Sequence, residues 1–215
     1  FEKPETKGDR IKEIKLFYTF RDGEHYINLK NVKVLSNSRQ WAVASPHHSL
    51  TLNLGDDERN DNAIVKIKMV EHFVKSKCTQ RSSKEWKGER WFDEDIENEG
   101  FISKLKEDEK YTTMRATIPI NDDNTWDCNI KDTNFTSIFQ NNKVDLPLFD
   151  EVFSRNAEIN CSIHLKSIFL VDKQHKMCVC NWEFKNIVIL PSTSIFDSIN
   201  SDAFCSIDDS DDDEE

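Results

Sequence analysis

The chain has 215 residues, of which 37% are hydrophobic and 32% charged, and a formal net charge of −11. That length gives one large domain with a core of its own, and five Gly and five Pro are too few for a collagen, a low-complexity polymer or an open linker. Apolar runs such as Ile187-Val188-Ile189-Leu190 are far too short to span a bilayer, so no membrane partner is expected. Phe1-Glu2-Lys3-Pro4 carries neither an initiator Met nor an apolar signal segment and reads as the ordered part of a longer chain.

The average charge conceals a division. Residues 202–215 contribute −8 and residues 92–109 another −6, whereas residues 1–91 sum to +5, with 18 Lys/Arg against 13 Asp/Glu. The last eight residues, 208–215, hold seven carboxylates and no cation. A like-charge run of this kind repels itself, does not pack, and acts as a solvated interaction tail. Beside a basic surface in the same chain it becomes an internal competitor for that surface, which is a nucleic-acid-binding layout.

In chain order, residues 11–20 form a β-branched and aromatic run, and residues 26–34 form another. Asp22-Gly23 lies between them and predicts a hairpin, because Gly accepts the positive φ of the turn. Short strands are expected at 40–44 and 50–54, with His47-His48 in an exposed turn after Pro46 and a polar turn at 56–62. Val65, Ile67 and Met69 alternate with Lys66 and Lys68, which predicts a half-buried strand with a cationic wet face. Val70, Phe73 and Val74 have helical spacing, so a change to helix is expected near Glu71. Residues 76–110 read as a long exposed insertion. Strand character resumes at 111–120, and residues 134–142 and 148–155 are short-helix candidates.

The last third carries the clearest pattern. Residues 158–171 and 177–190 are two long strands about a polar turn, predicted to pair as a hairpin. Ile159, Cys161, Ile163 and Leu165 share one face of the first; Cys178, Cys180, Trp182 and Phe184 share one face of the second, with a bulge near Lys185-Asn186. The expected fold class is mainly β. The OB fold, a small barrel with a long insertion and short helices, is the natural candidate, with a β-sandwich as the alternative. The domain expected is 1–191, its insertion at about 76–110, followed by a flexible Ser/Asp linker and acidic tail over 192–215.

Six cysteines stand at 78, 128, 161, 178, 180 and 205. Several lie inside strand patterns, where Cys serves as a small apolar residue, and the usage suits a reducing intracellular compartment. Cys178 and Cys180 share a strand face and are the one pair placed to share a metal; no further Cys/His pair stands at a zinc-finger spacing, and no cofactor is expected.

The richest functional patch is the basic stretch Lys66, Lys68, Lys75, Lys77, Arg81, Lys84, Lys87 and Arg90, with Trp86 and Trp91 beside it. Cations track phosphates and flat rings stack unpaired bases, each stack worth about 1–3 kcal/mol whatever the base. The competing reading makes the two tryptophans anchors of a long loop. A second patch is Phe17, Tyr18, Arg21, Arg39 and Trp41; successive strand residues point to opposite faces, so Phe17 and Tyr18 cannot both enter the core. Catalytic signals are poor: no Gly-rich phosphate loop, no G-x-S-x-G and no His-Glu-x-x-His. Glu183-Phe184-Lys185, with Asp145 or Asp122, matches the E-x-K element of restriction-type nucleases, a short pattern that chance supplies easily in so charged a chain.

The β-rich body, the final hairpin at 158–190, and a Ser/Asp linker leading to the tail 207–215 together resemble viral single-stranded-DNA-binding proteins. The layout is similar to the phage T7-type protein, an OB fold with an acidic tail. The Lys/Asn/Asp-rich composition and residues 1–20 and 86–92 are more similar to the baculovirus DNA-binding protein. The resemblance implies a non-catalytic protein of viral DNA replication. It would coat single strands, unwind or anneal them, associate with itself on DNA, recruit replication proteins through the tail and work in the host nucleus. Phage-type tails tend to finish on an aromatic residue, whereas this chain ends Glu214-Glu215 with Phe204 upstream. The rival classes are an acidic protein–protein adaptor or histone-chaperone-like module, and a metal-dependent nuclease.

Overall fold

In a computed structural model of the chain, residues 5–6, 11–15, 26–40, 48–55, 58–82, 100–108, 111–172 and 176–191 are described. The strands are β1 (Glu5–Thr6), β2 (Ile11–Lys15), β3 (Ile27–Asn37), β4 (His48–Asn53), β5 (Phe101–Ile102), β6 (Leu105–Glu107), β7 (Thr112–Ile118), β8 (Asn129–Lys131), β9 (Glu158–Asp172) and β10 (Lys176–Ile189); the helices are α1 (Asp61–Ser82) and α2 (Leu146–Val152). None of these helices is long and apolar enough to cross a membrane.

Five strands close on one another. β3 pairs antiparallel with both β9 and β4, β4 with β7, and β9 with β10; β10 then meets β7 in parallel. The result is a five-stranded Greek-key barrel of the OB fold. Its weakest seam is β7–β10, joined at the single register pair Glu183↔Thr117. Short strands occupy the rest of that edge of β10: β5 at Cys178–Val179 and β8 at Asn186–Val188.

The long final hairpin forms as its alternation predicts, with Lys176 opposite Asp172 and Ile189 opposite Ile159, and the register shifts between Phe184 and Asn186 at the expected bulge. Among the described residues of the hairpin predicted at 11–34, β2 and β3 pair with β9 and not with each other. β2 pairs with Ser167–Val171 of β9 and β3 with Glu158–Ile163 of the same strand, so the two runs follow one another in the same direction along β9. The 15-residue β9 offers a whole edge to both runs; Asp22-Gly23 and the rest of residues 16–25 lie outside the described residues.

The strand predicted at Val65–Met69 is helix. α1 buries Ala63, Ile67, Glu71, Val74 and Cys78, at spacings of 4, 4, 3 and 4 that place them on one helical face. That face, rather than the two-residue alternation, matches the barrel wall. Val65 and Met69 are consequently exposed, at 53% and 65%. Asn60 fixes the start of the helix: its amide donates to the carbonyls of Lys30 and Leu54 at 3.0 and 2.8 Å and accepts from the Lys30 N–H at 3.0 Å. Within 76–110, the helix runs to Ser82 and β5 and β6 are ordered strands, while residues 83–99 lie outside the described set.

Between β7 and β9 the chain makes an excursion that closes one end of the barrel. Trp126, Phe139, Phe149 and Phe153 are fully buried, with Trp126 stacked on Phe149 at 5.3 Å and Phe153 tilted against Phe149 at 4.9 Å. His48, expected in an exposed turn, opens β4 and is buried edge-on against Trp126 at 5.4 Å. Of the helix expected at 134–142 only a short 3-10 turn at Gln140–Asn142 forms, itself irregular at Asn141; Phe135, Asn141 and Asn142 take positive φ, which a right-handed helix cannot contain, and α2 supplies the second expected helix.

Candidate nucleic-acid interface

Where β7 leaves β6 and reaches across to β10, the seam opens into a cleft of about 600 Å³ lined by Ser49, Lys104, Arg115, Phe169, Asn181 and Trp182, among others. Met114, Ala116 and Ile118 of β7 point into the core, so Arg115 and Thr117 point out. Arg115 Nε donates to Ser49 Oγ at 3.0 Å, which aims the guanidinium along the β4–β7 face. Its backbone N–H donates to the Lys104 carbonyl at 3.1 Å, drawing the β5–β6 connection up beside it.

Lys104 is half-buried, and this desolvation lowers its ammonium below the ordinary lysine value; Arg115 and Lys106 push the same way, and Cys180 and Glu71 oppose them. Three cations crowding one rim make a place where a phosphate is worth more than elsewhere on the surface, since an added anion relieves their mutual repulsion. Glu71 builds the wall behind them. Buried on α1, its carboxylate accepts from Trp182 Nε1 at 3.1 Å, Ser103 Oγ at 2.5 Å and the Lys104 N–H at 3.3 Å. Helix, hairpin and barrel are thereby tied at one point.

The sequence-predicted residues distribute around this cleft unequally. On α1, Lys68 and Lys75 lie seven residues apart on the flank toward β6, and Lys66 and Lys77 eleven apart on the other. Lys68 Nζ pairs with Glu107 at 2.6 Å, and Lys77 Nζ stands 5.6 Å from the Phe73 ring centroid. Lys66 is exposed and Lys75 half-buried. Arg81 falls in the last turn of α1. Arg39 Nε donates to both carboxylate oxygens of Asp150, at 2.9 and 3.1 Å, tying the turn Ser38–Gln40 to α2. Phe17, Tyr18, Arg21, Trp41, Lys84, Trp86, Lys87, Arg90 and Trp91 lie outside the described residues, as do the rest of residues 41–47 and residues 173–175.

Lys104, Lys106 and Arg115 were missed by the sequence reading. The alternation of β7 does place Arg115 outward, but Lys104 and Lys106 are concealed in the acidic stretch 92–109, where their charge is outnumbered.

The other sequence candidates find structural employment. Asp145 caps α2, accepting from the Leu148 N–H at 3.1 Å, and Glu183 accepts from Asn181 Nδ2 at 3.1 Å. Cys178 and Cys180 do share a buried face, and Cys178 Sγ lies 3.5 Å from Cys78 Sγ of α1. Among the described residues no three His, Cys, Asp or Glu side chains gather as metal ligands.

No protein-family model matches the sequence, and no curated protein does. Among solved structures, the chain is similar to the single-stranded DNA-binding protein from bacteriophage Enc34, at 12% identity over 86% of this chain and 87% of that one, with a TM-score of 0.46. The same phage protein in complex with single-stranded DNA gives 11% identity over 86% and 93%, and a TM-score of 0.45. Protein gp2.5 of bacteriophage T7, a single-stranded DNA-binding protein, gives 5% identity over 90% and 100%, and a TM-score of 0.48.

Proposed function

We propose that the chain is a sequence-independent single-stranded-DNA-binding protein and not an enzyme. The observation that carries this reading is the pairing of half-buried Lys104 with Arg115 in an open cleft on the β4–β7 face of an OB barrel, the face and fold on which oligonucleotides are bound elsewhere. Lys106 and, on the α1 flank toward β6, Lys75 extend the positive rim, with Lys68 of that flank paired to Glu107. The cleft's cations and small hydroxyls suit phosphates, the half-buried Phe169 beside them suits a base, and its remaining polar side chains, Asn181 and Glu183, are hydrogen-bonded to each other.

In this reading the protein coats single strands during viral DNA replication in the host nucleus, unwinding or annealing them. Residues 208–215 compete with DNA for the cationic rim and recruit replication proteins once displaced. The tail's seven carboxylates support that role, because a tethered polyanion meets the rim at an effective concentration on the order of mM. The test is oligonucleotide binding by the intact chain and by one ending at Ser206, at low and moderate salt, with and without magnesium. Binding of single strands in preference to duplex, with a steep salt dependence and tighter at low salt after truncation, is the expected result. Equal affinity of the two chains at low salt removes the competitor role; no binding by either favours an adaptor, and cleavage a nuclease.

A further inference from the structure

Phe135 is 73% exposed, more than any other large apolar side chain among the described residues. It sits at the tip of a tight turn with φ of 61°, the left-handed region that a bulky residue enters at a cost and that Gly or Asn enters readily. The turn is firmly built. Asp132 Oδ1 accepts from the N–H groups of Asn134 and Thr136 at 2.9 and 2.8 Å, and the Asp132 carbonyl accepts from the Phe135 N–H at 3.0 Å. A hydrophobic ring is thus held outward on a strained, rigid support where a small polar residue would fit better.

A few residues on, a groove of about 640 Å³ has half-buried Ile138, Val144, Leu146 and Leu148 along it and exposed Lys143 at its edge. The half-buried Asp132 puts a carboxylate at the base of the knob, and Lys143 at the groove's edge is opposite to it in sign, while the groove's own carboxylate, Asp145, is engaged by the Leu148 N–H as the cap of α2. Knob and groove lie in one excursion, linked through the Lys131↔Ser137 bridge and the Ile138 N–H to Ile130 carbonyl bond at 3.2 Å. Adjacent, complementary features on one surface satisfy a two-fold contact, in which each copy supplies both.

From this we infer that two copies of the chain pair through this face, Phe135 of each entering the groove of the other and Asp132 of each meeting the other's Lys143. Two rings bury about 300–500 Å², well below the roughly 1,200 Å² of a stable interface. The pair is therefore weak in free solution and forms when a shared strand raises the local concentration, which rests on the DNA-binding reading above. DNA and partner use different stretches of β10: β8, at the base of the turn, pairs at Asn186–Val188, whereas the cleft lining ends at Glu183, three strand residues or about 10 Å away, and Phe135 lies four residues beyond β8. A two-fold contact closes on itself, so cooperativity stops at pairs and does not run on into filaments.

The test compares the full-length parent with Phe135→Asn, a residue that suits positive φ and keeps the turn. Without DNA, sedimentation from micromolar to millimolar protein should show dimers of the parent at the upper end and monomers of the variant. On oligo(dT) of one-copy and two-copy length, set from the parent's own stoichiometry, one-copy affinity should be unchanged and the advantage of the second copy should fall at least about tenfold. The ion pair is tested by a double-mutant cycle. Asp132→Asn keeps an oxygen that accepts the two turn N–H groups and removes only the charge. Asp132→Asn and Lys143→Gln should each weaken pairing, and the two together should weaken it no further than either alone. The proposal is overturned if the Phe135 variant pairs as the parent does, if the parent shows neither dimers nor cooperativity, or if the two charge losses simply add. It is also overturned if one-copy affinity alone falls, which would make Phe135 a base-stacking ring. Should no chain bind oligonucleotide, the DNA-binding reading fails and the DNA-free arm alone decides the pairing.

Discussion

The Glu71 carboxylate on α1 accepts the indole N–H of Trp182 on β10 at 3.1 Å, although 111 residues separate them. Both side chains are buried, and the same carboxylate holds Ser103 and the Lys104 backbone. Removing it leaves an indole N–H and a main-chain N–H without their acceptor in a dry site. Glu71→Ala should therefore cost about 2–4 kcal/mol, and Glu71→Gln less, since its amide oxygen still takes one donor. Urea unfolding with an unchanged slope checks this. DNA affinity should fall with stability, because Lys104 loses its support.

Replacing Arg115 or Lys104 by Ala should weaken single-strand binding on every sequence alike. Each lost phosphate contact should flatten the log–log salt dependence by about 0.7. An affinity loss with an unaltered salt slope would mean that the side chain acts through packing instead.

Lys104 also predicts a pH dependence. Its folded-state value is lowered, so it sheds its proton before an ordinary lysine does as pH rises. Single-strand affinity should start to fall on the alkaline side below the normal lysine range. Lys104→Arg, which keeps its charge, should move that fall to higher pH. Stability runs the other way: a lowered lysine in the folded state opposes folding at neutral pH, and that opposition is relieved as pH rises past its folded value.

The buried thiols give a separate signature. Burial raises Cys128, Cys161 and Cys180 above the ordinary thiol value, and Cys178 is raised first by its hydrogen bond with Cys78 and then by burial. A raised acid contributes stability that is complete below its unfolded value near 9.0 and is lost as pH climbs toward the folded one. Stability should fall above that point by about 1.4 kcal/mol per pH unit for each such thiol. Cys161→Ala should remove one proton from this slope. Denaturant titrations at a series of alkaline pH values measure it.

Asn31 has φ of 50° inside β3, where the register shifts between Leu29 and Val32, and its N–H donates to Asn160 Oδ1 at 2.8 Å. Asn31→Gly should be nearly neutral. Asn31→Val should cost about 1–2 kcal/mol, because a β-branched residue is poorly accommodated at positive φ. A shift in thermal midpoint with unchanged DNA binding is the expected readout.

Sequence alone determined what depends on near neighbours. The 158–190 hairpin was legible because two alternating runs joined by a short polar turn have one good way to pair, and even the bulge at Asn186 appears as a break in phase. Strand character at 112–118, the mainly β class and the barrel as a candidate followed from the same period of two. The tertiary structure decided what depends on competition between partners. Val65, Ile67 and Met69 fit a strand, and Ala63, Ile67, Val74 and Cys78 fit a helix. Only the barrel wall selects the second, because it alone buries Ile67, Val74 and Cys78 together and gives Glu71 its donors. Likewise the runs that open at residues 11 and 26 read as partners of each other, yet β9 offers an edge long enough for the described strands of both. The cleft was least visible of all, because Ser49, Lys104, Arg115 and Asn181 meet only when β4, β7 and β10 close into a barrel. Periodicity records which face of an element is wet, and chain closure settles which wet faces share a site.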